Sequence, residues 1–315
     1  MTLVQTPLSE VWAAIAQHLN QVTGYALGQL RSRSVSGGCI NQTYRLESAD
    51  YAQHARSSAA TSYFVKLNRA ADVAMFQAES LGLAQLAATA TIRVPRPVCW
   101  GTVGDRSYLV LEWLDLGSDR SPGSWERLGH DLAALHRWQP ELGAGFNGRD
   151  LGPGQAFGWE TNNTIGSTPQ INTWTKDWPT FWAEYRLGYQ LRLARRQGET
   201  FPLTDRVLAA IPALFDDYQP GPSLLHGDLW SGNAAIAIDG TPVIFDPATY
   251  WGDRETDLAM TELFGGFPTA FYRGYNDAWP VAAGYDRRKI LYNLYHVLNH
   301  FNLFGGSYAR ANAYS

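Results

Sequence analysis

The most informative stretch of this sequence reads LHGDLWSGN over residues 225–233, and IFD follows it over residues 244–246. These two segments supply two acids and one amide, Asp228, Asn233 and Asp246, with spacings of five and thirteen residues. Phosphoryl transfer needs a carboxylate that holds or deprotonates the attacking hydroxyl, and oxygen ligands that bind a divalent cation against the phosphates. A hairpin with Asn233 and Asp246 at adjacent strand ends would place both on one metal ion. The spacing therefore favours a phosphotransferase site over a simple capping turn.

A second set of residues upstream is typical of a nucleotide-binding lobe. Two strands are expected around a Gly37-Gly38 turn, whose backbone N–H groups could lie over phosphates. Lys66 is in the middle of the next apolar strand, and Glu79 follows on a predicted helix. A lysine in such a strand usually points to solvent, but an ion pair with Glu79 would place its ammonium on the phosphates of ATP. The order of these features, followed by the stretch at 225–233, favours ATP binding.

Hydrophobic periodicity predicts a strand-rich N-terminal part and a mainly helical C-terminal part. Helices are expected over residues 7–22, 72–90, 124–138, 176–197 and 203–217, and over most of 254–305. Strands are expected around Val35 and over 44–46, 63–67, 108–114, 235–238 and 242–245. Residues 139–175 are rich in Gly, Asn, Thr and Pro, and we expect them to form a long loop.

Composition excludes several classes of protein. The chain has 315 residues, 45% of them hydrophobic and 17% charged, which excludes a disordered chain. A net charge of −4 gives no electrostatic footprint for nucleic acid, and two cysteines cannot build a disulfide scaffold. No apolar run approaches the ~20 residues of a membrane span, and the N-terminus lacks a basic region. We therefore expect a cytoplasmic protein without nucleic-acid or membrane partners.

The sequence resembles the protein-kinase-like phosphotransferases and, within them, the fructosamine kinase family. The resemblance covers almost the whole chain, and its motifs are SGGCIN (36–41), YRL (44–46), FVK (64–66), FQAE (76–79), NTIGSTPQ (163–170), DWPTFW (177–182), HGDLWSGN (226–233), FDPA (245–248) and GDRETDLAM (252–260). The HGDLWSGN and NTIGSTPQ motifs distinguish this family from aminoglycoside and choline kinases.

The resemblance implies an α+β fold with two lobes, as in protein kinases. Residues 1–112 would form the nucleotide-binding lobe, with an antiparallel sheet, and residues 113–315 a larger, mainly helical lobe for catalysis and acceptor binding. Enzymes of this family use ATP and Mg²⁺ to phosphorylate the 3-hydroxyl of a ketosamine, an Amadori product on a lysine. The phosphorylated adduct is unstable and loses its sugar, which repairs glycated protein.

The resemblance also implies a role for individual residues. Asp228 would be the catalytic base, and Asn233 and Asp246 the Mg²⁺ ligands. The residues expected to bind ATP are Gly37, Gly38, Lys66 with Glu79, and a hinge at Glu112, Trp113 and Leu114. His226 is expected to have a structural role, and Asp257 either caps a helix or braces the catalytic loop.

Three residues are predicted to contact the acceptor: Trp230, Asn163 and Gln170. An aromatic ring next to the base could face the sugar, although a tryptophan is as often a core residue, and amides can bind hydroxyl groups. The acceptor could be a small ketosamine or a glycated protein. The alternatives are another small hydroxylated amine, whose sites usually carry acidic residues, and a pseudokinase, which should lack a base or metal ligand.

Cys39 lies in the glycine turn. It is either a buried, inert thiol or an exposed, oxidisable one at the tip of the turn.

Overall fold

An antiparallel five-stranded sheet forms the centre of the smaller of two compact units in a computed structural model of the chain. The structure describes residues 5–24, 27, 30–35, 40–48, 62–118, 121–141 and 152–305. The smaller unit comprises Met1–Ala88 with Val94–Leu116, and the larger one comprises Thr89–Arg93 with Gly117–Ser315. The segment Thr89–Arg93 belongs to the larger unit because the backbone at Arg93 pairs with Val243.

In the smaller unit the strand order is β1-β2-β3-β5-β4. The strands are β1 (Leu30–Ser34), β2 (Gln42–Ser48), β3 (Ser62–Arg69), β4 (Pro97–Val103) and β5 (Arg106–Glu112), and the helices are α1 (Leu8–Thr23) and α2 (Val73–Ala88). Alternation along β3 turns Val65 and Leu67 toward the core that α1 covers with Ile15. Lys66 therefore faces the opposite side of the sheet, where it reaches Glu79 of α2.

The described part of the larger unit consists of helices and three short strand pairs. Its helices are α3 (Pro122–Arg137), α4 (Trp178–Phe181), α5 (Gly188–Arg196), α6 (Thr204–Ala210), α7 (Glu255–Leu263), α8 (Thr269–Ala278) and α9 (Tyr285–Phe304), with a π-helical turn at Trp182–Leu187. Its strands are β6 (Asn163–Ile165), β7 (Thr168–Gln170), β8 (Ser223–Leu225), β9 (Ala234–Ile236), β10 (Pro242–Ile244) and β11 (Tyr250–Gly252). They pair as β6–β7, β9–β10 and β8–β11.

Glycine allows two helices of this unit to approach closely. A Cβ atom at Gly129 of α3 would lie 2.2 Å from the carbonyl oxygen of Phe271, and one at Gly274 of α8 would lie 2.1 Å from that of Glu126. Neither position can hold a larger residue without moving a backbone. The closely packed α3 and α8 form part of the core of the larger unit, and the loops that carry Asp228 and Asp246 extend from this core.

The α+β fold class is confirmed, and so are the helices expected over 7–22, 72–90 and 124–138, each within two residues at its ends apart from a 3₁₀ turn before α2. The prediction of a loop over 139–175 is wrong in part, because β6 and β7 form a hairpin inside it. Three-residue strands are too short for their alternation to be recognised. Among the described residues, no helix has the length and apolar character to cross a bilayer.

Candidate active site

The loop after β8 is braced by a buried carboxylate. Asp257 accepts hydrogen bonds from the backbone N–H groups of His226 and Gly227, both at 2.8 Å, and lies 3.2 Å from Nε2 of His136. Gly227 has a φ of +83°, and a Cβ there would lie 2.1 Å from the carbonyl oxygen of Ala248. The HGD turn therefore requires glycine, and Asp257 acts as a brace of the loop rather than only as a helix cap.

Asp228, Asn233 and Asp246 come together around this loop. Asn233 Nδ2 donates to the carbonyl oxygen of Asp228 at 2.8 Å and lies 3.3 Å from its carboxylate Oδ2 and 3.5 Å from the carbonyl oxygen of Asp246. The β9–β10 hairpin causes this approach, because Phe245 N donates to the carbonyl oxygen of Asn233 at 3.0 Å. The hairpin inferred from the spacing of these residues is therefore present.

The electrostatics of this cluster suit a bound cation. Burial raises the pKa of Asp228 to about 7, and the nearby negative charge of Asp246 adds to the shift. Two carboxylates and an amide oxygen are hard ligands of the kind that Mg²⁺ prefers, and a divalent cation would offset the repulsion between the acids. Since Asn233 Nδ2 is directed at Asp228, its Oδ1 is the atom available to a metal. The residues therefore fit Mg²⁺.

His226 connects the loop that carries Asp228 with the segment that carries Asp246. Its Nε2 lies 2.9 Å from the carbonyl oxygen of Phe245, and its Nδ1 accepts from the N–H of Asp228 at 3.2 Å. Burial lowers the pKa of His226, so the ring is neutral, with the proton on Nε2. Both nitrogens bind the backbone, which supports the structural role expected for this histidine.

Trp230 is 38% exposed, so it is not a core residue. Its ring covers Gly232, where a Cβ would lie 2.3 Å from Cη2 of the indole, and it meets Phe264 edge-on with 6.4 Å between ring centroids. The indole therefore presents a partly open aromatic face two residues after Asp228.

Lys66 is buried, with 3% of its surface exposed, and does not point to solvent. Its Nζ lies 2.7 Å from Glu79 Oε1, which is the ion pair that the resemblance implies. Of the expected hinge residues, Glu112 ends β5 and donates its N–H to the carbonyl oxygen of Arg96. Trp113 and Leu114 follow it and are both half-buried. Their role in binding adenine stays a prediction.

Asn163 and Gln170 require a correction. Both are buried, and their side-chain amides bind the protein itself: Asn163 Nδ2 donates to the carbonyl oxygen of Thr249 at 2.8 Å, and Gln170 Nε2 donates to that of Ala248 at 3.0 Å. A group held in this way cannot turn to a sugar without leaving a buried carbonyl unpaired. We therefore withdraw these two residues from the acceptor site.

Sequence reasoning also missed the side chains that support these amides. Tyr295, Asn172 and Arg186 form one buried hydrogen-bonded network with Asn163 and Gln170. Nothing in the local pattern around them indicates this network, because its members come from four separate segments. Gly37, Gly38 and Cys39 lie outside the described residues.

Comparison with known proteins agrees with this geometry. The family model described as "Fructosamine kinase" matches residues 11–314. The chain is 55% identical over 297 residues to a "Probable ketoamine kinase" of Synechocystis, covering 94% of this chain and 92% of that protein. It is 44% identical over 286 residues to the chloroplastic protein-ribulosamine 3-kinase of Arabidopsis thaliana, covering 90% of this chain and 80% of that protein.

Solved structures show the same fold. A crystal structure from Haemophilus somnus, described as a fructosamine-3-kinase, superposes with a TM-score of 0.81 at 30% identity and covers 96% of this chain and 95% of that chain. Macrolide 2′-phosphotransferase type I, at 17% identity and a TM-score of 0.55, covers 100% of this chain and 98% of its own, and shares the fold. The matched length, the identities and the assembled HGD loop agree, and the chain belongs to the fructosamine kinase family.

Proposed function

We propose that this protein transfers the γ-phosphoryl group of ATP to the 3-hydroxyl of a ketosamine. The observation that carries the proposal is the convergence of Asp228, Asn233 and Asp246 in a chain of the fructosamine kinase family. The curated relatives named ketoamine kinase and protein-ribulosamine 3-kinase support the same reaction and acceptor class. Loss of the sugar from the phosphorylated adduct would then complete deglycation.

Asp228 is the group that handles the acceptor proton. As the oxygen of the 3-hydroxyl forms its bond to the γ-phosphorus, the hydroxyl proton passes to the Asp228 carboxylate, the bond from that phosphorus to the β–γ bridging oxygen breaks, and ADP leaves. Burial raises the pKa of Asp228, which makes its carboxylate a stronger proton acceptor than an ordinary aspartate. The bond from Asn233 Nδ2 keeps this carboxylate oriented.

Asn233 and Asp246 would hold Mg²⁺, which supplies charge neutralisation of the transferring phosphoryl group when bound. Lys66 contacts the ATP phosphates and is held in place by Glu79. The other nucleotide contacts expected from the sequence are Gly37, Gly38 and the backbone at 112–114.

The acceptor is recognised through the open face of Trp230. An indole can pack against the apolar face of a small polyol and the lysine stem, which suits either a free ketosamine or a glycated protein. A cytoplasmic location fits both acceptors.

The test is a panel of acceptors assayed with Mg²⁺ and ATP by release of ADP. The panel contains fructosyl-lysine, ribulosyl-lysine, unmodified lysine, free fructose, kanamycin and choline, and the Asp228→Asn variant is the control for contaminating ATPases. We expect turnover with the two ketosamines alone. Turnover of kanamycin or choline without turnover of a ketosamine would replace this proposal by the aminoglycoside or choline kinase alternative. No turnover of any acceptor, together with ATP binding, would support a pseudokinase.

A further inference from the structure

The segment that follows Asp246 is held by the β6–β7 hairpin. Asn163 begins β6 and Gln170 ends β7, and the two residues are partners in the hairpin register. Their side chains donate to the consecutive carbonyl groups of Thr249 and Ala248, and Gln170 Nε2 also donates to Asn163 Oδ1 at 2.9 Å. The hairpin therefore binds the chain two and three residues beyond Asp246.

Ala248 connects this segment to the catalytic loop. Its N–H donates to the carbonyl oxygen of His226 at 2.9 Å, while its own carbonyl oxygen accepts from Gln170. The same oxygen is so close to Gly227 that no side chain fits there. A shift of Ala248 would therefore move the backbone on both sides, two residues after Asp246 and two residues before Asp228.

The hairpin amides are themselves fixed by buried groups. Tyr295 donates to Gln170 Oε1 at 2.8 Å, and Asn172 Nδ2 donates to Asn163 Oδ1 at 2.9 Å. Arg186 donates in turn to Asn172 Oδ1 at 2.7 Å. Both amides are hydrogen-bonded through their oxygen and their nitrogen, so turning either one would break several buried bonds at once, and the two form a rigid support for the carbonyl groups they bind.

The backbone at Asp246 needs such a support. Its φ is +58°, in the left-handed region that residues other than glycine rarely adopt. Conformations of this kind persist where the surrounding structure over-determines them. The bonds to the carbonyl groups of Ala248 and Thr249 are one source of that constraint.

We propose that Asn163 and Gln170 are positioning residues, which hold the segment 246–249 in the conformation that lets the Asp246 carboxylate bind the metal ion. The inference rests on the proposed function for the role of Asp246. It assigns the NTIGSTPQ hairpin to the metal side of the reaction and not to the sugar.

The experiment compares Gln170→Met with Gln190→Met. Gln190 is an equally buried glutamine of the same unit, and it binds Asn299, Asn302 and the Tyr295 hydroxyl, whereas Gln170 binds the segment at 246–249 directly. Four quantities are measured for both variants: the melting temperature, the KM for ribulosyl-lysine, the affinity for Mn²⁺ in the presence of ADP by electron paramagnetic resonance, and amide hydrogen exchange of residues 245–250 without nucleotide or metal.

We expect the two variants to lose similar thermal stability, since each loses buried hydrogen bonds. Gln170→Met alone should weaken Mn²⁺ binding by roughly 10–100-fold, the usual effect of removing a group that orients a metal ligand. It alone should speed hydrogen exchange at Ala248, while its KM for ribulosyl-lysine stays within about 3-fold of wild type, because the Gln170 amide binds the protein itself and the acceptor loses no contact. If Gln170→Met does not fold, Asn163→Ala, which removes the bond to the carbonyl group of Thr249 but keeps Gln170 as the donor to that of Ala248, should give the same pattern with smaller changes.

Two results would overturn the inference. Equal Mn²⁺ affinity and equal exchange in the two glutamine variants would make Gln170 a merely structural residue. A raised KM for ribulosyl-lysine with unchanged Mn²⁺ affinity would return it to the acceptor site. Wild-type protein that binds Mn²⁺ and ADP but phosphorylates no ketosamine would instead remove the proposed function, and the exchange and Mn²⁺ measurements would still decide the role of Gln170.

Discussion

The smaller and the larger unit hold their functional side chains by different means. In the smaller unit, Lys66 is oriented by the two-residue period of β3 and by one ion pair to Glu79. In the larger unit, Asp228 and Asp246 lie on loops whose backbone is held by buried polar side chains from distant segments, such as Asp257 and Gln170. The position of Lys66 in the smaller unit therefore follows from the local periodicity of its strand. The positions of Asp228 and Asp246 in the larger unit depend on a network of buried hydrogen bonds.

This difference has energetic consequences. A buried ion pair is strongly coupled, so the loss of one partner leaves a buried charge without compensation. A network of amides and carbonyl groups distributes the constraint over many bonds, each of which contributes about 1 kcal/mol. We therefore expect single substitutions in the smaller unit to affect folding and nucleotide use together, and those in the larger unit to separate them.

The largest effect should come from Asp228→Asn. Asparagine keeps the size of the side chain and its contact with Asn233, but it cannot accept the acceptor proton. We expect kcat to fall by roughly 10²–10⁴-fold, the usual contribution of a positioned general base. The melting temperature and ATP affinity should change little, which steady-state kinetics and thermal melts can check.

Asp217→Asn is the matched control, because Asp217 is exposed in the same unit. It should leave kcat unchanged. Near wild-type turnover of Asp228→Asn at saturating substrate would show that Asp228 is not the base of the reaction.

The second effect concerns Lys66→Met. Removing the ammonium takes away the cation 2.7 Å from the Glu79 carboxylate, whose side chain is only 10% exposed, and we expect a loss of roughly 3–5 kcal/mol in the free energy of unfolding. The efficiency kcat/KM for ATP should fall by roughly 10²-fold, as for other desolvated charge contacts. Urea unfolding and ATP kinetics measure the two losses.

The double variant Lys66→Met/Glu79→Leu separates the loss of stability from the loss of ATP use. It removes both charges, so stability should return while the use of ATP stays low. Arg69→Met is the control, because Arg69 pairs with Asp72 on the surface with 81% of its side chain exposed, and exposed pairs contribute about 0–1 kcal/mol. Recovery of ATP use in the double variant would show that the pair is structural only.

The same contrast explains how much could be predicted from the sequence. The Asn233–Asp246 hairpin followed from spacing, because it depends on two neighbouring strands. The strand pattern around Lys66 favoured a solvent-facing lysine, and its pair with Glu79 was implied by the order of the motifs and by the resemblance. The roles of Asn163 and Gln170 could not be inferred, since amides suit a sugar and a backbone carbonyl equally well. Only the position of Ala248 and Thr249 in space decides between the two.

A third, smaller effect is acid sensitivity of the larger unit. Burial lowers the pKa of His136, His226 and His296, in the last case to about 3. Below pH ~6.5 the unfolded chain takes up protons that these folded histidines do not, so the contribution of the histidines to stability is complete above that pH and falls as pH decreases. For His296, whose folded pKa lies near 3, this loss is about 2 kcal/mol between pH 6.5 and 5.

His296→Gln should remove this part of the pH dependence. Urea unfolding at pH 7 and pH 5 should show a smaller acid loss for the variant than for the wild type, by about 2 kcal/mol. His130→Gln, at an exposed position of α3, is the control and should keep the wild-type slope. An unchanged slope in His296→Gln would mean that the buried histidines do not set the acid stability of this unit.

The smallest effect concerns Trp230, and it tests directly whether a substitution in the larger unit can change function without changing stability. Its ring is partly exposed, so Trp230→Ala should change the melting temperature little, yet an aromatic contact of about 0.5–1.5 kcal/mol predicts a roughly 2–10-fold rise in the KM for ketosamine. The KM for ATP should stay the same.

Trp100→Ala is the control, because Trp100 is 36% exposed on β4 of the smaller unit and has no proposed role. Trp230→Phe should restore part of the affinity, because a ring still faces the acceptor. A large drop in melting temperature with both KM values unaltered would instead show that the indole stabilises the turn over Gly232, and the open face beside Asp228 would then have no part in acceptor recognition.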